Sequence, residues 1–205
     1  MRELLISTTN QGKLREIKHL LKEFPLKITS LKDYPGLPDV AEDGKTFRAN
    51  AVKKAVTIGR QTGKLVMGED SGLEVRALGN QPGIYSARFA GGKDKNAADH
   101  KNNAKLLRLL RDVPETARQA RYRCLAALAE GEEVVGVAEG RCGGIIARRE
   151  TGSNGFGYDP LFYLPRYHRT FGELDPEIKA RISHRARALK KMKQLLAEYL
   201  AVSIG

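Results

Sequence analysis

Cysteine is nearly absent from this chain: two residues in 205, Cys124 and Cys142. Two thiols cannot build a disulfide framework, and neither stands in a CxxC or other metal-like spacing. Both read as reduced structural thiols. Histidine is scarce too, and His100 and His168 have no partner at metal-ligand spacing, which argues against zinc chemistry. Long apolar runs are missing. Nothing approaches the roughly 20 residues that span a bilayer, so no membrane partner is expected. The opening Met1-Arg2-Glu3, followed by three strong apolar residues, is too short for a secretory h-region, and a cytoplasmic location is the expectation. No repeat, low-complexity tract or Gly/Ser linker divides the sequence. Residues 1–205 therefore read as a single domain, long enough for two lobes around a shared core. Acid is in short supply as well, with 24 Asp and Glu against 36 Lys and Arg, a net charge of +12. Such an excess favours polyanionic partners. Much of it is spread along helices, as in Lys101/Lys105 and Arg108/Arg111, where a solvated face explains it equally well. Charge alone leaves nucleic acid, a nucleotide and no anionic partner as open alternatives.

What is present is an ordinary globular share of apolar residues, 41%, patterned as alternating strands and helices. Residues 3–7 read as a buried strand. Residues 13–24 read as a helix with Leu14, Ile17, Leu21 and Phe24 at helical spacing, Thr9 or Asn10 as N-cap and Pro25 as its stop. A strand over 26–30 and a turn-rich loop over 34–38 follow. The next helix covers 46–62, with Phe47, Ala51, Ala55 and Ile58 inward and Gly63 beyond its end. Residues 65–67 read as a buried strand ending in Glu69-Asp70, 73–78 as another strand, and 79–83 as a turn. A helix over 97–111 carries Ala104, Leu107 and Leu110 as its apolar stripe. Strands 122–128 and 134–139 make a hairpin around Gly131-Glu132, and 143–147 suits a further strand. A glycine-rich loop spans 152–157. Asp175-Pro176 is a good N-cap and first-turn pair for a C-terminal helix. Ser183 could cap a second segment, so one bent helix and two abutting helices both fit. The class is mixed α/β, two lobes sharing one sheet.

Several constellations carry chemistry. Ser7-Thr8-Thr9-Asn10-Gln11-Gly12-Lys13 offers hydroxyls, an amide and an ammonium where a helix begins, an anion site of the phosphate-loop type without the Walker A spacing. It also suits an ordinary capped helix. Gly68-Glu69-Asp70-Ser71-Gly72 places two acids and a hydroxyl at a strand end, where ligands of α/β folds sit. The two acids point to opposite faces, so one of them can meet a ligand; Asp70 could bind Mg²⁺ or polarise a water. Glu42-Asp43-Gly44 could add a carboxylate, and one of Lys53 and Lys54 could face the same site. Gly155-Phe156-Gly157-Tyr158-Asp159-Pro160 could stack a base and read its edge, or anchor a loop by its aromatics. Lys179 and Ser183-His184-Arg185 offer donors to phosphate or to a purine oxygen.

Taken in order, Thr8-Thr9-Asn10-Gln11-Gly12-Lys13, Thr46-Phe47-(x)2-Asn50-Ala51-(x)2-Lys54-Ala55, Glu69-Asp70-Ser71-Gly72-Leu73, Pro82-Gly83-Ile84-Tyr85-Ser86-Ala87-Arg88, Phe156-Gly157-Tyr158-Asp159-Pro160 and Ile182-Ser183-His184-Arg185 resemble the inosine triphosphatase family. Its members are pyrophosphatases of non-canonical purine nucleoside triphosphates. The resemblance runs from about Leu4 to Leu189. It implies an elongated mixed sheet with two α/β lobes and a central active-site cleft, usually in a homodimer. It implies Mg²⁺-dependent cleavage of dITP, ITP or XTP between the α- and β-phosphates, giving the monophosphate and pyrophosphate, with no stable nucleic-acid complex. By position, Thr8, Thr9, Asn10, Gln11, Gly12, Lys13 and Lys54 would hold the triphosphate. Glu42 and Asp70 would handle the metal, with Asp70 accepting the proton of the attacking water. Ser71, Phe156, Gly157, Tyr158, Asp159, Lys179, His184 and Arg185 would surround the nucleotide. Three positions depart from the family pattern: Ala49 stands for the usual glutamate, Thr9 for a glycine and Glu69 for a frequent aspartate.

Overall fold

Leu4, Leu5 and Ile6 are fully buried, and burial on both faces makes β1 (Arg2–Ser7) an interior strand. The computed structural model describes residues 2–91 and 95–202. In chain order β1 is followed by α1 (Gln11–Leu20), β2 (Leu26–Ser30), α2 (Phe47–Thr62), β3 (Leu65–Val75), β4 (Gln81–Pro82), α3 (Lys95–Leu109), β5 (Gln119–Glu130), β6 (Glu133–Ile146), β7 (Phe162–Leu164), β8 (Arg169–Thr170), α4 (Pro176–Ile182) and α5 (His184–Val202). Among the described residues the strands form one mixed sheet ordered β2-β1-β3-β5-β6-β7-β8, with β4 beside β3. β1 runs parallel to both β2 and β3, which is why a helix lies between each of these strands in the chain. β3 and β4, β6 and β7, and β7 and β8 pair antiparallel.

The chain divides into two compact units. The first comprises Met1–Asp70, Cys124–Gly140 and His184–Gly205. Leu4, Ile6, Leu65 and Met67 point to one face of its sheet, where α1 packs with Leu14 and Ile17 and α5 with Leu189, Met192 and Leu196. Leu5 and Val66, one residue out of phase, point to the other face and meet Ile58 of α2 with Leu31 and Val40. Two glycines let helices lie directly on the strands. A Cβ on Gly68 would stand 2.2 Å from the Ala51 carbonyl oxygen of α2, and one on Gly140 would stand 2.1 Å from the His184 carbonyl oxygen of α5. The second unit, Ser71–Arg123 and Arg141–Ser183, is built on Leu73, Val75, Leu106, Tyr122, Phe162 and Phe171. There Tyr122 lies 4.7 Å from Phe162, and Phe162 lies 5.1 Å from Phe171, ring centre to ring centre.

The strand expected to end at Glu69-Asp70 continues through them to Val75, so β3 is one strand of 11 residues instead of two, and the expected strand's last residues, Arg76–Leu78, form a 3-10 turn. Its polar centre is tolerated because ionic and amide partners cover both acids. The strand expected over 143–147 is likewise the end of β6, which stops at Ile146, instead of a separate strand. The hairpin about Gly131-Glu132 stands where expected. The buried positions of α3 are Asn102, Asn103 and Leu106, with Leu110 just past its end; the expected stripe is turned by about one residue because two asparagines are buried and Ala104 is exposed. At the C-terminus there are two helices. Asp175 caps α4, and Ser183, in an extended conformation, separates it from α5.

Candidate active site

In the first unit the chemistry gathers around the ends of β1 and α1 and the middle of β3. Asn10 Oδ1 accepts the Lys13 N–H at 3.0 Å and so caps α1, while the Asn10 N–H reaches Thr8 Oγ1 at 3.2 Å. Gln11 Nε2 donates to the Thr9 carbonyl at 3.4 Å. Thr8 to Gly12 are thereby folded over a helix start whose first-turn N–H groups lack intrahelical acceptors and whose dipole favours an anion.

Glu69, 1% exposed, points to the α1 and α5 side of β3. Lys13 Nζ lies 2.8 Å from its Oε2, and Arg185 Nη2 donates to its Oε1 at 3.2 Å. The Cys124 thiol donates to Oε1 at 3.2 Å, and Glu16 takes the other end of the Arg185 guanidinium. Burial works against the Arg185 charge, but Glu69 and Glu16 more than offset it and hold its pKa above the ordinary arginine value. Burial also works against Lys13, and Glu69 overcomes it to raise the ammonium's pKa. The Cys124 thiol is pushed well up by burial and then by Glu69, so this cysteine is unreactive.

Asp70 points to the opposite side, toward α2. Asn50 Nδ2 donates to its Oδ2 at 2.9 Å, and Asn50 Oδ1 accepts the Gly44 N–H at 2.8 Å, tying the acidic loop to the helix. Lys54 forms a close ion pair with Glu42 and donates to the Glu69 carbonyl at 3.1 Å. Burial raises the Asp70 carboxyl above the usual range; Lys13 and Lys54 pull it back only in part, and Glu42 adds to the rise. Of the two candidate lysines Lys54 is buried, while Lys53 is half-buried and pairs with Asp43 at 2.6 Å. Sequence reasoning gave Asn50 no role. Its signal was a polar residue on the apolar stripe of α2, one turn before Lys54. Ala49 is exposed at the third position of α2, its N–H on the capping Thr46 Oγ1 at 3.0 Å. A glutamate there would complete a capping box.

In the second unit the loop over 155–159 folds on Asp159. Its Oδ2 accepts the Phe156 N–H at 2.8 Å and the Lys179 ammonium at 2.6 Å. Lys179 Nζ also stands 5.0 Å from the centre of the Phe156 ring, a cation–π contact. Gly155, at φ +80°, is required by space as well as conformation, since a Cβ would lie 2.0 Å from Asp159 Oδ2. The Tyr158 hydroxyl donates to the Ser86 carbonyl at 2.8 Å. Ser71 follows Asp70 on β3 and belongs to this unit, whereas buried His184 opens α5 in the first. The candidates thus fall into two groups: Thr8 to Lys13, Glu42, Lys54, Asp70, His184 and Arg185 in one unit, and Ser71, Phe156 to Asp159 and Lys179 in the other.

Among the described residues no three His, Cys, Asp or Glu side chains gather as a metal cage. Glu42 and Asp70 are two hard carboxylates whose charges act on one another. That donor set fits Mg²⁺, which is held by one or two carboxylates together with substrate phosphates.

The model of the Ham1 family matches residues 4–195. A dITP/XTP pyrophosphatase from Desulforamulus reducens is 50% identical over 194 residues, 95% of either chain. One from Geobacillus kaustophilus is 49% identical, over 94% of this chain and 93% of its own. Among solved structures, a Ham1 protein from Coxiella burnetii aligns with a TM-score of 0.86 at 39% identity, over 97% of this chain and 100% of its own. With the family model spanning nearly the whole sequence and relatives at half identity over nearly their full lengths, the chain belongs to the Ham1 family.

Proposed function

We propose that this protein is a pyrophosphatase of non-canonical purine nucleoside triphosphates, cutting dITP, ITP or XTP between the α- and β-phosphates. The observation that carries the reading is Asp70: a buried carboxylate oriented by Asn50, with Lys54 and Glu42 nearby, in a chain whose relatives are named dITP/XTP pyrophosphatases. Hydrolysis of a phosphoric anhydride needs charge neutralisation and an aligned water more than a covalent nucleophile. Asp70 accepts the proton of the attacking water, its carboxylate held in place for that role by the Asn50 amide. Thr8 to Gly12 offer donors to the triphosphate, and Lys13 and Lys54 supply fixed positive charge. Glu42 and Asp70 would hold Mg²⁺, which would neutralise phosphate charge when bound. Phe156 supplies a face for the base. Lys179, held by Asp159, supplies a donor suited to a 6-oxo group; the 6-amino group of adenine, itself a donor, could not accept from it. Ser71 and His184 complete the set around the nucleotide. Arg185 enters through Glu69 and hence Lys13, because both carboxylates hold its guanidinium inside the protein. The resemblance supports a homodimer and a cytoplasmic setting as parts of the same reading.

A panel of triphosphates incubated with and without Mg²⁺, assayed for pyrophosphate against orthophosphate, tests the proposal. Pyrophosphate release from ITP and XTP well above that from ATP is expected. Asp70→Asn should lower it by about 10³-fold or more while the variant stays folded. Orthophosphate as the product, or an active Asp70→Asn enzyme, would sink the reading.

A further inference from the structure

Two features have no part in that chemistry: the segment Pro82–Arg88, and the polar inner face of α3. Both meet the Phe156–Asp159 loop within the second unit. We propose that Asp99, Asn102 and Asn103 of α3 form a clasp that positions this loop for base recognition, an inference that rests on the pyrophosphatase reading of the loop. The three act through other groups and are positioning residues.

Gly157 is the point of attachment. The turn closes through the Asp159 N–H and the Phe156 carbonyl at 3.2 Å, a bond that uses neither polar group of Gly157. Both go to α3 instead. The Gly157 N–H donates to Asp99 Oδ2 at 2.8 Å, and the Gly157 carbonyl accepts from Asn103 Nδ2 at 3.2 Å. Asp99 and Asn103 stand four residues apart, so a helix presents them side by side. Gly157 has φ +62°, and no atom lies within 4 Å of where its Cβ would be; the left-handed backbone, not crowding, asks for glycine.

Asn103 is only 2% exposed, and its amide orientation is set by the Gly157 oxygen, which a reversed amide would face with its own oxygen. In this orientation Oδ1 has no hydrogen-bond partner among the described residues. Burying a half-satisfied amide costs stability, so leucine would serve a purely structural core better. What the amide adds is its hold on Gly157.

Asn102 carries the clasp to the Pro82–Arg88 segment. Its Nδ2 donates to the carbonyls of Ser86 at 3.3 Å and Ala87 at 3.4 Å, and its Oδ1 accepts the Ala90 N–H at 2.7 Å. Tyr158 ends on the same Ser86 carbonyl. Ser86 Oγ in turn accepts the Leu73 N–H at 2.9 Å and donates to the Gly83 carbonyl at 2.6 Å, locking the segment to β3. Gly157 and Tyr158 are therefore held at consecutive positions by α3 and by a segment that α3 also holds. Release of Gly157 would turn the Phe156 ring and loosen Asp159 from Lys179, the groups placed at the base, and leave Asp70 untouched.

The test uses the full-length protein with Asn103→Leu, Asp99→Ala and Asp99→Asn. Asn103→Leu and Asp99→Ala should raise the KM for ITP about tenfold, keep kcat within about threefold and narrow the ITP-over-ATP preference. Asp99→Asn keeps an acceptor for the Gly157 N–H and should return KM close to wild type. Hydrogen exchange at the Gly157 amide should quicken by about tenfold in Asp99→Ala at little-changed thermal midpoint. Unchanged KM and unchanged exchange overturn the clasp, as does a kcat that falls in step with thermal midpoint across the three variants. Wild-type enzyme that releases no pyrophosphate from any purine triphosphate defeats the functional reading instead, and the exchange measurement then still decides the clasp.

Discussion

Glu69 and Asp70 are neighbours in sequence, yet the protein treats their charges in opposite ways. The Glu69 carboxylate is sealed among two cations and a thiol donor, while Asp70 is held by an amide and left on the basic side of its usual range by burial. Removing one member of a buried ion network leaves the others uncompensated, at a cost of about 3–5 kcal/mol. Glu69→Gln should therefore lower stability by about that amount in urea, because Lys13 and Arg185 stay charged without it. It should also raise KM, since the Lys13 ammonium is no longer held. Asp70→Asn preserves an oxygen for Asn50 and removes a charge that the site disfavours, so its urea midpoint should shift little. Equal stability losses in the two variants would contradict this division. At this scale the sequence showed that adjacent strand residues face opposite ways. It did not show the partners, because Arg185 lies 116 residues away from Glu69 and only the fold joins them.

Elements with simple periodicity were legible: α2 reads directly from Phe47, Ala51, Ala55 and Ile58, with Thr46 and Gly63 at its ends. β3 and α3 were harder for a common reason. Each buries polar residues at positions where a soluble element presents them to water, and those residues are bound by distant loops or charges. Glu69-Asp70-Ser71-Gly72 has the composition of a turn, and Asn102-Asn103 that of an exposed helix face. The close seating of α2 on β3 was equally hidden, because a glycine in a strand signals close backbone approach without naming the neighbour. Gly68 is where that seating is decided. A methyl there would stand 2.2 Å from the Ala51 carbonyl oxygen and 2.6 Å from the Ala55 nitrogen, both backbone atoms that move only with the helix. Gly68→Ala should cost about 1–3 kcal/mol as overpacking and lift Asn50 and Lys54 from Asp70. A shift of about an ångström at a reacting group costs about 10²-fold in rate, so kcat should fall by about that factor with KM less affected. A Gly68→Ala enzyme with wild-type kcat would mean that α2 does not position the base.

Across the whole molecule the net charge of +12 says less than how the fewer acids are used. Lys13, Lys54, Lys179 and Arg185, four candidate cations from the two units, each face a carboxylate within their own unit. The acids are therefore what restrains a strongly basic chain, and they are what low pH removes. Glu3 is the clearest case. Burial alone would raise its carboxyl, but Lys64 at 2.6 Å and the hydroxyls of Thr29 and Tyr34 outweigh that and bring it from 4.5 to about 2. Hydrogen bonds from Ser30 and from Lys53 likewise lower Asp33 and Asp43, and the Tyr199 hydroxyl, with Arg2, lowers Glu130. A carboxyl whose folded pKa lies below its unfolded value stabilises the protein above the unfolded value and ceases to do so as pH falls through the folded one. For Glu3 the window runs from 4.5 down to about 2. Protonation also adds positive charge to a chain already rich in it, and self-repulsion grows in the same interval. Thermal unfolding between pH 7 and pH 2.5 should show the midpoint dropping steeply below pH 4.5, with salt recovering part of the loss. Glu3→Gln should start from a lower midpoint at pH 7 and fall along a shallower slope, the two curves converging toward pH 2. A variant that keeps the full wild-type slope would move the acid sensitivity away from the β1 carboxylate and onto the summed repulsion of the basic surface.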